Sequence, residues 1–160
     1  MNLSTRGRYA TRAMLELAQH YDQAPVSSTE ISRNQQISAR YLQQLLGTLK
    51  RAGLIRVALG PGGGFKLAAP PSEIRLSQIL DAVEGRLALV ECVSHESYCP
   101  RSPDCLAREI WVQASELLND YFHSLTLADV LKSRSKPKGR SACGKPFRAK
   151  RLCDLHPRSK

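Results

Sequence analysis

The pattern of apolar positions in the first part of the chain predicts short helices. Apolar residues recur at helical spacing over residues 9–21, and Pro25 interrupts the pattern. Ser27, with Glu30 three residues later, is typical of a capping box that opens a second helix ending near residue 35. Two amphipathic helices separated by a proline turn are therefore expected at the start of the chain.

A third helix is predicted to run from the candidate cap Ser38 to about residue 52, where Gly53 ends it. Its apolar residues share one face, and a donor-rich polar set lies on the other. Arg40 has the donors to pair with guanine, and Gln43 and Gln44 can each form two hydrogen bonds with adenine. Candidate phosphate contacts, which fix the register without reading sequence, are Ser38, Tyr41 and Lys50.

The next segment predicts a β-hairpin. Two short apolar runs, 54–59 and 65–67, flank a turn rich in glycine and proline. This turn is not a Walker loop, because no Gly-Lys-Ser/Thr opens a helix after it. Helices followed by a hairpin predict a winged helix-turn-helix DNA-binding domain over residues 1–69, which we call the head.

The middle of the chain, residues 70–132, is predicted to be helical with one interruption. Apolar spacing over 76–83 indicates a short helix that Gly85 ends, whereas prolines and serines predict a loop at 92–105. A long helix with a wide apolar stripe follows, and Thr126 can cap a last short helix. Because the stripe is large for so small a domain, we expect part of it to be buried against a second subunit.

Charge is distributed unevenly along the 160 residues, whose formal net charge is +10. Residues 1–66 hold 9 Lys/Arg and 3 Asp/Glu, residues 67–132 hold 5 and 10, and residues 133–160 hold 10 and 1. The basic head indicates a polyanionic partner, and 133–160 is predicted to be a basic disordered tail. No apolar run reaches the roughly 18 residues of a membrane span, and the polar start lacks a secretory signal. We therefore expect a cytoplasmic protein without a membrane partner.

The five cysteines are absent from the first 91 residues, and their odd number argues against a disulfide framework. Cys92, Cys99 and Cys105 fall in a polar loop, where thiolates bind soft metals or act as redox groups. Their wide spacing favours an iron–sulfur cluster, while a zinc site and a redox thiol switch stay open. Cys143 and Cys153 match no ligand spacing.

Three thiolates leave a four-coordinate centre one ligand short. Arginine stays protonated and is a very poor ligand, and the missing group could come from the head or from a second subunit. The side chains in or just after the loop that come into question are His95, Glu96, Asp104, Arg108 and Glu109. No nucleophile is paired with His and Asp in a catalytic pattern, so we expect no enzyme.

Five segments of the sequence, taken together and in this order, are more specific to one family than any single segment is. They are Leu3–Ala10, Ile37–Leu45, Gly60–Phe65, Ile79–Glu84 and Leu125–Val130. Together with the three loop cysteines, they resemble bacterial transcriptional regulators of the IscR and NsrR type, the Rrf2 family. The resemblance covers residues 1–132 and leaves out the tail.

The resemblance implies a mainly α fold with a small β-hairpin wing, a winged helix-turn-helix and a long dimerisation helix. It further implies a cytoplasmic homodimer on a palindromic promoter site in double-stranded DNA, acting as a repressor. In such proteins a [2Fe–2S] cluster controls DNA binding, and the resemblance assigns it to Cys92, Cys99 and Cys105. The alternative is a clusterless regulator with a thiol switch or zinc.

The chain departs from the IscR pattern at several positions. Arg108 stands where IscR has the His that completes the cluster site, so the fourth ligand is open. The acidic group that NsrR-type members recruit near the N-terminus is also missing, since Arg6, Arg8 and Arg12 occupy that neighbourhood.

Two further departures concern DNA contacts. Leu59 replaces the Arg that precedes the wing glycines in IscR, and Arg56 is the candidate to take over its minor-groove contact. Gln43 replaces a Glu, which removes a charge that DNA would repel.

Overall fold

The computed structural model describes residues 4–134, apart from the side chains of Glu96 and Arg134. Within these residues the fold is mainly helical with one hairpin, as the sequence predicts. The elements are α1 (Thr5–Gln19), α2 (Ser28–Gln35), α3 (Ala39–Arg51), β1 (Ile55–Ala58), β2 (Gly64–Leu67), α4 (Leu76–Glu84), α5 (Glu91–Ser94), α6 (Leu106–Ser124) and α7 (Leu127–Arg134). The predicted disordered tail began at residue 133, but residues 133 and 134 belong to α7, so the prediction is wrong for these two. The rest of the predicted tail, with Cys143 and Cys153, lies outside the described residues.

The start of α1 differs from the prediction because of a polar cap. The helix begins at Thr5, not near residue 9, since the Ser4 hydroxyl accepts hydrogen bonds from the backbone N–H groups of Arg6 and Gly7. The same Ser4 hydroxyl donates to Glu84 at the end of α4, at 2.7 Å. A Cβ atom at Gly7 would meet the Glu84 carboxylate and lie 3.2 Å from the Leu80 side chain, so α1 and α4 are closely packed at this point.

Local capping explains the next two helices only in part. The predicted N-cap of α2 is confirmed, because the Ser27 hydroxyl accepts from the Glu30 N–H at 3.1 Å. The predicted capping box is only half formed, since the Glu30 side chain accepts no hydrogen bond from the Ser27 N–H within the described residues. Ser38 stands at the N-cap position of α3, but its side chain makes no capping hydrogen bond. Instead, the stability of α3 rests on its buried leucines. They are Leu42, Leu45, Leu46 and Leu49.

One isolated backbone bridge joins the hairpin to the helical core. Strand β1 pairs antiparallel with β2, with Ile55 opposite Leu67 and Val57 opposite Phe65. Val26, between α1 and α2, exchanges two backbone hydrogen bonds with Phe65, at 2.8 and 3.1 Å. Because the backbone at Val26 comes so close to Gly64, no side chain fits there. The core of the head therefore includes buried residues of the hairpin.

The predicted loop at 92–105 contains more regular structure than expected. Residues 91–94 form the single-turn helix α5, and two 3₁₀ turns follow, Glu96–Tyr98 and Ser102–Asp104. The expectation of a loop without regular structure is therefore wrong in part. The prolines fall in the connections and at the start of the second 3₁₀ turn, where a missing N–H costs little. We call residues 91–105 the cysteine segment.

The end of α6 returns to the head. The Leu76 N–H donates to the Leu125 carbonyl at 2.9 Å, and the Leu127 N–H donates to the Ile74 carbonyl at 3.0 Å. The Thr126 hydroxyl caps α7 as predicted, by accepting from the Asp129 N–H at 3.1 Å. Leu127 is fully buried in the same core as the head leucines. None of the helices in the described part of the chain is long and apolar enough to cross a membrane.

Candidate nucleic-acid interface and cysteine segment

Helix α3 presents a polar face opposite its buried leucines. Arg40, Gln43, Gln44 and Lys50 are all exposed along this face. Arg40 forms no hydrogen bond or ion pair with any described residue, so its guanidinium is available to an outside acceptor. The face therefore has the donor chemistry that reading base edges in the major groove requires.

Two neighbours of α3 were not found from the sequence. The Gln43 amide donates to the Ser28 hydroxyl at the start of α2, at 2.9 Å, so these two polar side chains form one surface. Arg6 joins Tyr41, Gln44 and other residues in lining a groove of about 250 Å³ between α1 and α3. The basic run at the start of the chain was the only signal for Arg6, and nothing local pointed to Ser28.

Tyr41 is held by aromatic packing. Its ring stands edge-on to that of Tyr9, with centroids 6.0 Å apart, and the Arg12 guanidinium lies 5.5 Å from the Tyr9 centroid. Arg12 also donates to the side chain and the backbone carbonyl of Gln35 at the end of α2. Arg12 is therefore engaged inside the head, while Arg6 borders the α3 groove.

The wing carries its cations on the face opposite the core. Arg56 and Lys66 are directly opposed across the two strands, and Arg56 is exposed. Gly60 and Gly62 adopt positive φ values of 101° and 76°, which explains the glycine-rich turn. Leu59, at the start of this turn, is 92% exposed.

The three cysteines of the cysteine segment are half-buried free thiols. Cys92 lies in α5, Cys99 follows the first 3₁₀ turn, and Cys105 occupies the N-cap position of α6. Within the described residues, however, no three side chains of His, Cys, Asp or Glu are close enough together to hold a metal ion. The thiols therefore share one segment without being gathered around a common point.

Arg108 connects two of these positions. Its Nε atom donates to the Cys92 carbonyl at 3.0 Å, and its backbone N–H donates to the Cys105 carbonyl at 3.0 Å. A guanidinium has five N–H donors and no lone pair for a metal. At the position where IscR has a histidine, Arg108 therefore ties α5 to the first turn of α6.

Residues 86–90 join α4 to the cysteine segment and lie along α6, and we call them the strap. The Asn119 side chain accepts from the Leu87 N–H and donates to the Leu87 carbonyl, at 3.3 and 2.8 Å. The buried Ser115 hydroxyl accepts from the Leu89 N–H at 3.0 Å. A cavity of about 550 Å³ remains between strap, α5 and α6. The strap is thus fastened to α6 by polar contacts next to loosely packed space.

The donor types of the cysteine segment suit an iron–sulfur centre. Three thiols are the soft ligands that such centres use. Ser102, between Cys99 and Cys105, is only 7% exposed, and its Oγ atom has no hydrogen-bond partner in the described part of the chain. Buried polar atoms normally have a partner, and the described residues supply none for this hydroxyl. The three thiols thus match such a centre in donor type, but the described arrangement does not gather them into a metal-binding set.

Helix α6 leaves much of its apolar stripe uncovered. Among its 19 residues only Ser115 is buried. The exposed large side chains are Leu106, Ile110, Trp111, Leu117 and Tyr121, with exposures from 43% to 80%. Such a patch on a small domain is typical of an interaction surface.

Comparison with known proteins confirms the family resemblance over nearly the whole described chain. The Rrf2 family model, described as an iron-dependent transcriptional regulator, matches residues 3–133. An HTH-type transcriptional regulator of Neisseria meningitidis is 40% identical over 139 residues, which are 87% of this chain and 93% of that protein.

Two solved structures share the fold. IscR of T. potens superposes with a TM-score of 0.72 and 30% identity, over 88% of this chain and 93% of that one. CymR, the global cysteine regulator of B. subtilis, gives a TM-score of 0.70 and 31% identity, over 83% and 98%. With a winged helix-turn-helix, a long helix and a family match from residue 3 to residue 133, this chain belongs to the Rrf2 family of transcriptional regulators.

Proposed function

We propose that the chain is a homodimeric repressor that reads a palindromic promoter site with α3 and its wing. The observation that carries this proposal is the exposed, donor-rich face of α3, which lies opposite the four leucines that the helix buries. Arg40, Gln43 and Gln44 contact base edges, and Arg56 contacts the minor groove. Ser38, Tyr41 and Lys50 contact phosphates. Such a protein acts on DNA in the cytoplasm.

The groove beside Tyr41 supports an extension of this interface. Arg6 borders the groove with Gln44 and Thr48, so the start of α1 offers a cation next to the base-reading residues. Gln43 reaches DNA with its amide already oriented by Ser28. Pre-oriented polar side chains lose less conformational entropy on binding, which favours discrimination between sites.

DNA binding is further proposed to be controlled by a [2Fe–2S] cluster held by Cys92, Cys99 and Cys105. Such a cluster supplies one-electron redox chemistry and sensitivity to iron–sulfur supply, oxygen or nitric oxide. The segment must draw its thiols together to hold it, since they are not gathered in the present arrangement. The contact of Arg108 with the Cys92 carbonyl would then change or break.

The strap offers a physical route from the cysteine segment to the rest of the dimer. Movement of α5 pulls on residues 86–90, which Asn119 and Ser115 fasten to α6. Since α6 carries the exposed apolar stripe, its position sets how two copies meet and how far apart their α3 helices lie. Two arrangements of the segment, of which the cluster favours one, would shift the balance between DNA-binding states.

A second candidate is control by the thiols alone. Two observations favour it. The segment does not gather a metal-binding set, and a CymR structure of Staphylococcus aureus that shares the fold, with a TM-score of 0.65 and 32% identity, is of an oxidized form. In this alternative, oxidation of half-buried Cys92, Cys99 or Cys105 rearranges the segment without iron.

Anaerobic DNA binding on the promoter upstream of its own gene tests the proposal. Protein purified and reconstituted anaerobically should contain iron and sulfide and bind this DNA at least about tenfold differently from the iron-free chain. Cys92→Ala should abolish the difference, while both forms keep the same helix content. A colourless protein with stoichiometric zinc, or a binding difference that follows thiol oxidation without iron, contradicts the cluster.

A further inference from the structure

The cavity between the strap, α5 and α6 differs in charge from the region around it. Its volume of about 550 Å³ falls within the roughly 300–1,000 Å³ of small-molecule sites. Residues 67–132 hold 5 Lys/Arg and 10 Asp/Glu, so this region is acidic. The charged side chains that line the cavity are nevertheless two arginines and one glutamate, Arg86, Arg108 and Glu116. A ligand with two negative charges and one positive charge would complement them.

The uncharged polar groups of the cavity wall are engaged with the fold. The Ser115 hydroxyl accepts from the Leu89 N–H at 3.0 Å and donates to the Trp111 carbonyl at 2.6 Å. The Asn119 side chain is bonded to both backbone groups of Leu87. These contacts build the wall, so recognition of a ligand falls to the charged side chains.

Arg86 and Glu116 lie at the same end of the cavity. Arg86 precedes Leu87, which is bonded to Asn119, and Glu116 lies one turn of α6 before Asn119. Both charged side chains are exposed, and neither forms a hydrogen bond or ion pair with any described residue. Opposite charges that line one cavity without pairing suit a molecule that carries a carboxylate next to an ammonium group.

Arg108 lines the other end, beside α5. Its Nε atom donates to the Cys92 carbonyl at 3.0 Å, and this contact holds the guanidinium there. Aliphatic side chains form much of the remaining wall, namely Leu87, Ala88, Val93 and Val112. A ligand that extends from the charged pair to Arg108 therefore has a short aliphatic part and an acidic end.

The cavity lies on the opposite side of α6 from the exposed apolar stripe. Residues at helical spacing line the cavity, namely Arg108, Val112, Ser115 and Asn119. The stripe repeats with the same spacing half a turn away, at Leu106, Ile110, Leu117 and Tyr121. A second copy of the chain that covers the stripe would thus leave the cavity accessible to a small molecule.

We propose that this cavity binds an α-amino acid with a second carboxylate in its side chain. The α-carboxylate pairs with Arg86, the ammonium group with Glu116 and the second carboxylate with Arg108, while the methylene groups lie against Val93 and Val112. The bound molecule connects the strap, α5 and α6, so it stabilises their present arrangement. This site goes beyond the proposed function, since it depends on neither a cluster nor a DNA sequence.

Isothermal titration calorimetry of the full, iron-free chain under reducing conditions tests the site, with L-aspartate and L-glutamate as probes at millimolar concentrations. Glutarate lacks the ammonium group, γ-aminobutyrate lacks the α-carboxylate, and L-glutamine lacks the second carboxylate. The variants Arg86→Met and Glu116→Gln each remove one charge from the cavity. The matched controls are Arg101→Met and Glu109→Gln, which remove exposed charges of the cysteine segment and of α6 outside the cavity lining.

We expect one of the two acidic amino acids to bind at one site per chain. It should bind at least about tenfold more tightly than the three comparison compounds, because each of these loses a charge-assisted contact. Arg86→Met and Glu116→Gln should each weaken binding at least about tenfold, and Glu116→Gln should also remove the preference over glutarate. Both controls should match the parent chain. Far-UV circular dichroism verifies that all variants fold.

Three results overturn the inference. One is a parent chain that gives no binding heat and no rise in melting temperature with either acidic amino acid. Another is glutarate or L-glutamine binding as tightly as L-glutamate, since the charge pattern then selects nothing. The third is binding that Arg86→Met and Glu116→Gln both leave intact, which places the ligand elsewhere. A chain that takes up no iron defeats the proposed cluster alone, because these measurements use the iron-free chain without DNA.

Discussion

The head and the cysteine half of the molecule, by which we mean the strap, the cysteine segment and α6, differ in how completely they bury their apolar side chains. In α3, four leucines are at most 2% exposed and share one core with α1, the hairpin and α7. In α6, a longer helix, Ile110 is 62% exposed and Leu106 is 80% exposed. One chain therefore contains a region that is closed on itself and a region that still presents an apolar surface.

In the proposed function, this difference separates the region that contacts DNA from the region that controls DNA binding. A head with a finished core can hold the α3 side chains in place without help from other molecules. The cysteine half has an uncovered stripe, a cavity beside the strap and a Ser102 hydroxyl without a partner among the described residues, so additional contacts would stabilise it. Regions with few buried apolar contacts open most easily, which suits a segment that responds to a signal.

The largest effect on stability should come from a substitution in the core of the head. Leu46→Ala removes a side chain that is fully buried, and we expect it to lower the free energy of unfolding by about 2–5 kcal/mol. Leu117→Ala in α6 is the matched control, because that leucine is 59% exposed. Urea unfolding at low protein concentration, followed by circular dichroism, measures both. Equal losses would abolish the contrast between the two regions.

A charge on the α6 stripe should weaken association of two copies. Ile110→Asp would place a carboxylate in the proposed interface, and we expect dimerisation to weaken by at least about tenfold. Glu116→Gln is the control, since Glu116 lines the cavity on the strap side of the helix. Sedimentation equilibrium gives the dissociation constants. If Ile110→Asp dimerises like the parent, a different surface joins the subunits.

A substitution on the exposed face of α3 should weaken binding of the specific DNA site without changing how the cysteine half responds. Arg40→Ala is expected to weaken binding of the specific site by about 1–3 kcal/mol, the value of a two-point contact with guanine. The loss should be the same for the iron-loaded and iron-free chains. Arg33→Ala, an exposed arginine at the end of α2, serves as the control in fluorescence anisotropy titrations. An effect that depends on the state of the cysteines would link the two regions more tightly than proposed.

The smallest effect concerns the cap of α7, where the cysteine half rejoins the head. The Thr126 hydroxyl and N–H donate to the Asp129 carboxylate at 2.6 and 3.1 Å, and these bonds hold the Asp129 pKa below its ordinary 3.8. A lowered pKa in the folded state contributes stability above pH 3.8, which is lost as the pH falls through the folded pKa.

Replacement of Asp129 by Asn should therefore lower the melting temperature slightly near neutral pH and reduce its dependence on acid. Melting curves between about pH 3 and 7 measure this, with Asp120→Asn, an exposed aspartate of α6, as the control. Identical slopes for the Asp129→Asn and parent chains would remove the cap from the acid response.

The fold was largely predictable because most of its signals are local. Leucine spacing predicted α3, and Ser27 and Thr126 predicted caps that the structure contains. The start of α1 was missed because its first turn is polar and shows no apolar period, although Ser4 caps it. The turns of the cysteine segment were missed because proline was read as excluding structure there, when it only opens a short turn.

The candidate site was predictable only where all of its residues lie on one helix or strand. The exposed face of α3 follows from its own periodicity. The contacts of Gln43 with Ser28 and of Arg108 with the Cys92 carbonyl join residues 15 and 16 positions apart, and no local pattern marks them. Burial alone distinguishes Ser102 from an ordinary loop serine, and no local pattern marks it.

The sequence by itself thus determined most of the helices, the hairpin, the donor-rich exposed face of α3 and the resemblance to a family. These follow from the period of apolar residues, from caps and from glycine turns, which act over a few positions. Tertiary structure alone decided that Arg108 ties α5 to α6, and that residues 4–134 leave the buried Ser102 hydroxyl without a partner and the stripe on α6 uncovered. Burial and hydrogen bonding between distant positions depend on how the elements pack, which no local pattern contains.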